Sequence, residues 1–242
     1  MFGKRSVKCP ITVEDQKWIS NSLNWINDNV VNIINQPTIE PTKQFFNWEF
    51  NGKEEDAYFA LEKIVKYAHF NTNNFQLHFY NREEEFELMC RLPQKNNTMT
   101  SFYFFSENNN MYTLGIGTTQ LKNKIDLITG ITRLLCYHLL VNLKSMSVDA
   151  KEVEGLIDLL AIAFGFGIFI YSTMQSSEFF QHLSFGGCSS YLPQQVSAYV
   201  MAEIEMRKNN SKTPIWIQNS STNFKSDFKK SMKYLKNEDQ SL

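Results

Sequence analysis

Three polar side chains stand in an otherwise apolar stretch, Ile131–Met174, at spacings that chemistry could use: His138, Glu154 and Asp158. The stretch suits two apolar helices joined by a polar turn around Lys144–Asp149. A zinc hydrolase needs three protein ligands and a base that takes a proton from the metal-bound water. His-Glu-x-x-His on one helix supplies two ligands and the base, because positions i and i+4 share a face. A Glu on a second helix can be the third ligand, and an Asp four residues later can orient a ligand His through its other ring nitrogen. On that frame His138 is the second His, Glu154 the third ligand and Asp158 the orienting carboxylate. The first His then falls on Leu134 and the base on Leu135.

Half of a site is therefore missing. Leu134 closes the coordination sphere with apolar surface, and no carboxylate at position 135 can activate water. Ile131, Leu134, Leu135 and His138 also lie at i, i+3, i+4 and i+7, an apolar stripe in which a single His reads as a core residue. Glu154 and Asp158 are harder to place in a core, since a carboxylate among apolar side chains is costly unless paired. The expectation is a polar knot in which one of them hydrogen-bonds His138. No catalytic residue and no bound zinc are expected, His138 and Glu154 being vestigial ligand positions with Asp158 behind them. The alternative is an active metal-dependent hydrolase with rearranged ligands. It would draw on His69, His78, His182 or Cys136, none of which has ligand spacing.

The elements that must hold these residues follow from pattern. Thr12-Val-Glu-Asp offers an N-cap to a helix carrying Trp18, Ile19, Leu23, Trp25, Ile26 and Val30. Asn32–Gln44, with Pro37 and Pro41, reads as an extended connection. A second helix begins after Gly52 and carries Ala57, Leu61, Ile64, Val65 and Ala68. Four strands are predicted, at Phe75–Tyr80, Phe86–Cys90, Ser101–Phe105 and Met111–Gly117. Helices follow near 121–143, 150–173, 191–207 and 224–236, with a loop at Glu178–Tyr191. The pattern is an α+β chain, with an α/β portion over 1–120 and a helical portion over 121–242, forming one compact unit.

Composition narrows the function. The 242 residues carry a net charge of −1, which argues against a nucleic-acid protein. Cys9, Cys90, Cys136 and Cys188 are scattered and form no Cys-x-x-Cys pair, so reduced thiols and a cytoplasmic location are expected. The segment Met1–Thr12 has no apolar core of a secretory signal. Leu159–Tyr171, the longest apolar run, is shorter than a bilayer span and reads as a core helix. No P-loop, dinucleotide-binding glycine pattern or nucleophile elbow is present. Gly165-Phe-Gly reads as close helix packing rather than a phosphate cradle.

At these residues the sequence resembles an uncharacterised family of bacterial His-Glu-x-x-His zinc-metallopeptidase-like proteins of the zincin type. The likeness runs through Cys9-Pro-Ile-Thr-Val-Glu-Asp with Trp18 and Trp25, Pro37-Thr-Ile-Glu-Pro-Thr with Phe45 and Phe46, and Glu54-Glu-Asp-Ala. It continues in Glu152-Val-Glu-Gly-Leu-Ile-Asp-Leu-Leu with Phe164-Gly-Phe-Gly-Ile-Phe, in Tyr191-Leu-Pro-Gln-Gln-Val with Ala198-Tyr, and in Phe228–Leu235. The resemblance implies a zincin-like fold: a small twisted sheet packed on an active-site-type helix, with a mainly helical C-terminal half. It also implies an edge strand beside the site that can bind peptide backbone, here Met111–Gly117. The chain departs from the family pattern at Leu134 and Leu135. What the resemblance implies is a degenerate member that binds a peptide or protein partner without cleaving it; charge and the length of the apolar run add the expectation of no nucleic acid and no membrane span.

Overall fold

The computed structural model describes residues 8–70, 75–81, 83–84, 103–106, 111–143, 150–175, 191–210 and 212–239. Helix α1 is Val13–Asn29, and Thr12 caps it: the Asp15 amide donates to Thr12 Oγ1 at 3.1 Å. Its apolar face buries Ile19, Leu23 and Ile26. Helix α2, Glu54–Ala68, is anchored in its first turn by Asp56, whose carboxylate accepts from the Trp48 indole at 2.8 Å and from the amides of Asn51 and Lys53 at 2.9 and 3.0 Å. Burial opposes ionisation of Asp56, but these donors outweigh it and hold the carboxyl below its usual range.

Three described strands form one sheet: β1 (Phe75–Tyr80), β2 (Tyr103–Ser106) and β3 (Met111–Gly117), in the order β1-β3-β2. β1 runs parallel to β3, with Phe75 opposite Tyr112 and Tyr80 opposite Gly117. β2 runs antiparallel to β3, with Tyr103 opposite Leu114 and Ser106 opposite Met111. This corrects the expectation of an edge strand at Met111–Gly117. β3 takes a partner on each side, and β1 and β2 flank it among the described strands. The strand expected at Phe86–Cys90 lies outside the described residues, as do the turn at Lys144–Asp149 and all but the end of the Glu178–Tyr191 loop.

The C-terminal half is helical. Helix α3 is Lys124–Asn142, capped by Asn123, whose side chain accepts from the Ile125 amide at 2.8 Å. At its start, Lys124 Nζ lies 4.0 Å from the centre of the Trp48 ring and donates to the Phe46 carbonyl at 3.1 Å, tying α3 to the segment before α2. Helix α4 (Ala150–Ala161) runs through a π turn at Ile162–Phe166 into α5 (Gly167–Gln175). Helices α6 (Gln194–Arg207) and α7 (Thr222–Asp239) follow and pack on one another. One cluster of buried apolar side chains extends from Ile19 on α1 to Met232 on α7. The architecture is α+β, with a small sheet beside a larger set of helices.

Two local features shape the α4–α5 rod. The stretch Glu152–Thr173 is 22 residues long, more than the Leu159–Tyr171 run suggested, and is kinked at Gly165, where the backbone leaves helical geometry. By length and composition it could cross a membrane, its most apolar 18-residue window having a mean hydropathy of 2.1, yet 94% of that window is buried, as in a core helix. At Gly165 the backbone turns to φ 95°, and its carbonyl accepts from the Ile39 amide at 2.9 Å. A Cβ there would stand 2.1 Å from the Pro37 carbonyl oxygen. The glycine thus lets the extended Pro37–Ile39 segment cross the rod in contact with its backbone.

Candidate functional site

Helices α3 and α4 pack against each other, and α3 also packs on β3. Glu154 and Asp158 lie one turn apart on α4 and so share a face. Opposite them α3 presents Arg133, which is 1% exposed. Its Nη2 donates to Glu154 Oε2 at 2.5 Å, and its Nη1 donates to Asp158 Oδ1. The second oxygen of Asp158 accepts the backbone amides of Tyr191 and Leu192, at 2.5 and 2.9 Å. One carboxylate thereby joins α3, α4 and the segment leading into α6.

The arrangement makes electrostatic sense. The guanidinium faces two buried carboxylates, and two backbone amides directed at Asp158 add further compensation for its charge. The same field reaches neighbouring groups. Burial pushes the Tyr137 phenol up, and the charge of Glu154 pushes it further. Burial drives the Cys136 thiol far above its ordinary range, against the opposing pull of Arg133, so this thiol stays protonated.

His138 lies one turn beyond Leu134 on α3, on the sheet side. Its ring meets Tyr112 edge-on at 4.3 Å between centres and Phe75 at 4.8 Å. Asn142 Nδ2 donates to the His138 carbonyl at 2.8 Å and lies 3.2 Å from each ring nitrogen. Burial pushes the ring pKa down to about 4, so the imidazole is neutral near pH 7. Leu135 is 0% exposed and Leu134 is buried beside it, both in the apolar core.

Glu154 and Asp158 require a buried partner, and the structure supplies a cation not expected from the sequence, Arg133. The signal was present: Arg133 is the only charged residue between Asp126 and Lys144, and it lies opposite a Glu-x-x-x-Asp. A charge that deep in an apolar helix must find an opposite charge. Among the residues weighed as replacement ligands, His69 ends α2 and is exposed, and His78 is exposed on β1. Cys136 is buried on α3, and His182 lies outside the described residues. Among the described residues, no three His, Cys, Asp or Glu side chains are grouped so as to hold a metal. The donor set does not suit zinc on its own terms: Glu154 already neutralises a guanidinium 2.5 Å away, and an incoming dication would face that fixed positive charge.

A groove of about 460 Å³ lies elsewhere, along the outer side of α2 and the start of β1, lined by Tyr58, Leu61, Glu62, Val65, Lys66 and Phe75. No family model, curated protein or solved structure matches this chain.

Proposed function

We propose that this chain is a catalytically inactive, metallopeptidase-like protein that acts by binding a peptide or protein partner. The observation that carries the reading is the Arg133–Glu154–Asp158 triad. In a zinc site of the resembled type, Glu154 would face a metal cation and Asp158 would orient a ligand. Here a guanidinium supplies the compensating positive charge permanently, and Leu134 and Leu135 supply neither a further ligand nor a base. The scaffold keeps its carboxylates and lacks the groups that would activate water. A partner in extended conformation would find a strand, β1, at the margin of the described sheet, with the α2 groove beside it.

The test is metal content and proteolysis of the purified chain. Zinc well below one equivalent is expected, with no peptide cleavage above background. Stoichiometric zinc, with cleavage abolished in Glu154→Ala, would overturn the proposal. A Leu134→His/Leu135→Glu variant, with Arg133→Met added to release Glu154, tests the vestigial-site reading directly. Gain of zinc by that variant, with its helical circular dichroism retained, supports it.

A further inference from the structure

Helix α7 sorts its charges. Lys225, Lys229, Lys230, Lys233 and Lys236 all fall within about 140° of its circumference, at ~100° per residue. No carboxylate lies in that arc. Asp227 and Glu238 sit on one flank, where Asp227 is 3.6 Å from Lys230 and Glu238 accepts from Tyr234 and, at 3.0 Å, from Gln16. Lys229, Lys230 and Lys233 are exposed, and Lys225 and Lys236 are half-buried. Among the described residues, Lys225, Lys229, Lys233 and Lys236 form no ion pair. The opposite face is fixed to the core through Phe224, Phe228 and Met232, with Phe228 meeting Trp216 at 5.3 Å between ring centres. The lysine face is thus held outward by the packing behind it.

We infer that this face of α7 is a docking surface for an acidic helical segment of a partner protein. The chain as a whole is nearly neutral, with 24 Lys and Arg against 25 Asp and Glu, so a five-lysine arc free of acid is local segregation of charge. Lys225, Lys229 and Lys233 follow one another at about 6 Å along the axis, and the row to Lys236 is about 17 Å long. Carboxylates at i, i+4 and i+8 on an opposing helix repeat at the same interval. The exposed arc holds Ser226 and Asn237 between the lysines, with no aromatic platform on which a nucleic-acid base could stack and no apolar wedge to enter a lipid surface. This surface is separate from the α3–α4 site, and the inference holds whether or not that site is vestigial.

The experiment uses the full chain and a fluorescein-labelled helical peptide with Glu at every fourth position. Anisotropy in 50 mM NaCl should show saturable binding, weakened about tenfold or more at 300 mM NaCl. Lys229→Glu/Lys233→Glu should weaken binding by about tenfold or more, and the milder Lys229→Gln/Lys233→Gln by less. Both sites are exposed, so circular dichroism and Tm should not change. Absence of saturable binding, or binding that Lys229→Glu/Lys233→Glu leaves intact, would overturn the inference. So would tighter binding to phosphatidylserine vesicles or to a single-stranded oligonucleotide than to the peptide.

Discussion

Arg133 on α3 and Asp158 on α4 form a buried ion pair, and through the second oxygen of Asp158 the pair extends to the Tyr191 and Leu192 amides. Three segments distant in sequence therefore meet at one carboxylate. The pair acts as a structural pin between α3, α4 and the segment leading into α6.

Removing the cation alone should be costly. Arg133→Met takes the guanidinium away from two buried carboxylates, an expected loss of about 3–5 kcal/mol of stability. Adding Glu154→Gln and Asp158→Asn should recover part of the loss, because neutral amides carry a smaller burial penalty. Urea unfolding of the single and triple variants measures both effects. Equal stability of Arg133→Met and the parent chain would show that the triad contributes nothing as a pin.

His138 should make stability depend on pH in a defined window. Its folded pKa is lowered from 6.5 to about 4 by burial. Above pH 6.5 the ring is neutral in both states and costs nothing. Between pH 6.5 and 4 the unfolded chain binds a proton that the native ring refuses, so stability falls as pH falls. Below pH 4 the penalty levels off. For a ring only half enclosed it should reach about 1–2 kcal/mol. His138→Gln removes the titration, and the difference between parent and variant should grow as pH drops through this window. A constant difference from pH 7 to 4 would contradict the burial argument.

Gly165→Ala should be disruptive out of proportion to one methyl group. The new Cβ would collide with the Pro37 carbonyl at a φ that L side chains seldom adopt. An expected loss of about 3 kcal/mol or more follows from strain and displacement of the Pro37–Ile39 segment. Gly155→Ala is the comparison: its Cβ meets the rim of the Trp18 ring at 3.0 Å, which a small rotation can relieve, and Leu192 at an ordinary contact distance of 3.8 Å. Similar Tm values for the two variants would argue against the close approach at Gly165.

Much of the local structure was legible in the chain. The Thr12 cap, the strands at Phe75–Tyr80 and Met111–Gly117, and the helices expected near 121–143, 191–207 and 224–236, found at 124–142, 194–207 and 222–239, follow from side-chain periodicity and capping chemistry. These signals are local: each depends on residues within a turn or two of one another. The spacing of Glu154 and Asp158 likewise placed both carboxylates on one helix face, and their charge demanded a buried partner.

Which group would be that partner was decided only by tertiary structure. His138 and Arg133 lie on the same helix, five residues apart, and their side chains leave it in different directions. Packing seats the His138 ring against Phe75 and Tyr112 of the sheet, while Arg133 meets α4. The place of β3 between β1 and β2 is non-local in the same way, since alternation shows which face of a strand is apolar but not which strand lies beside it. The sequence by itself determined most of the described elements and the need for a compensating charge. Tertiary packing determined that the charge is a guanidinium, because burial and hydrogen-bond partners depend on where distant segments come to rest.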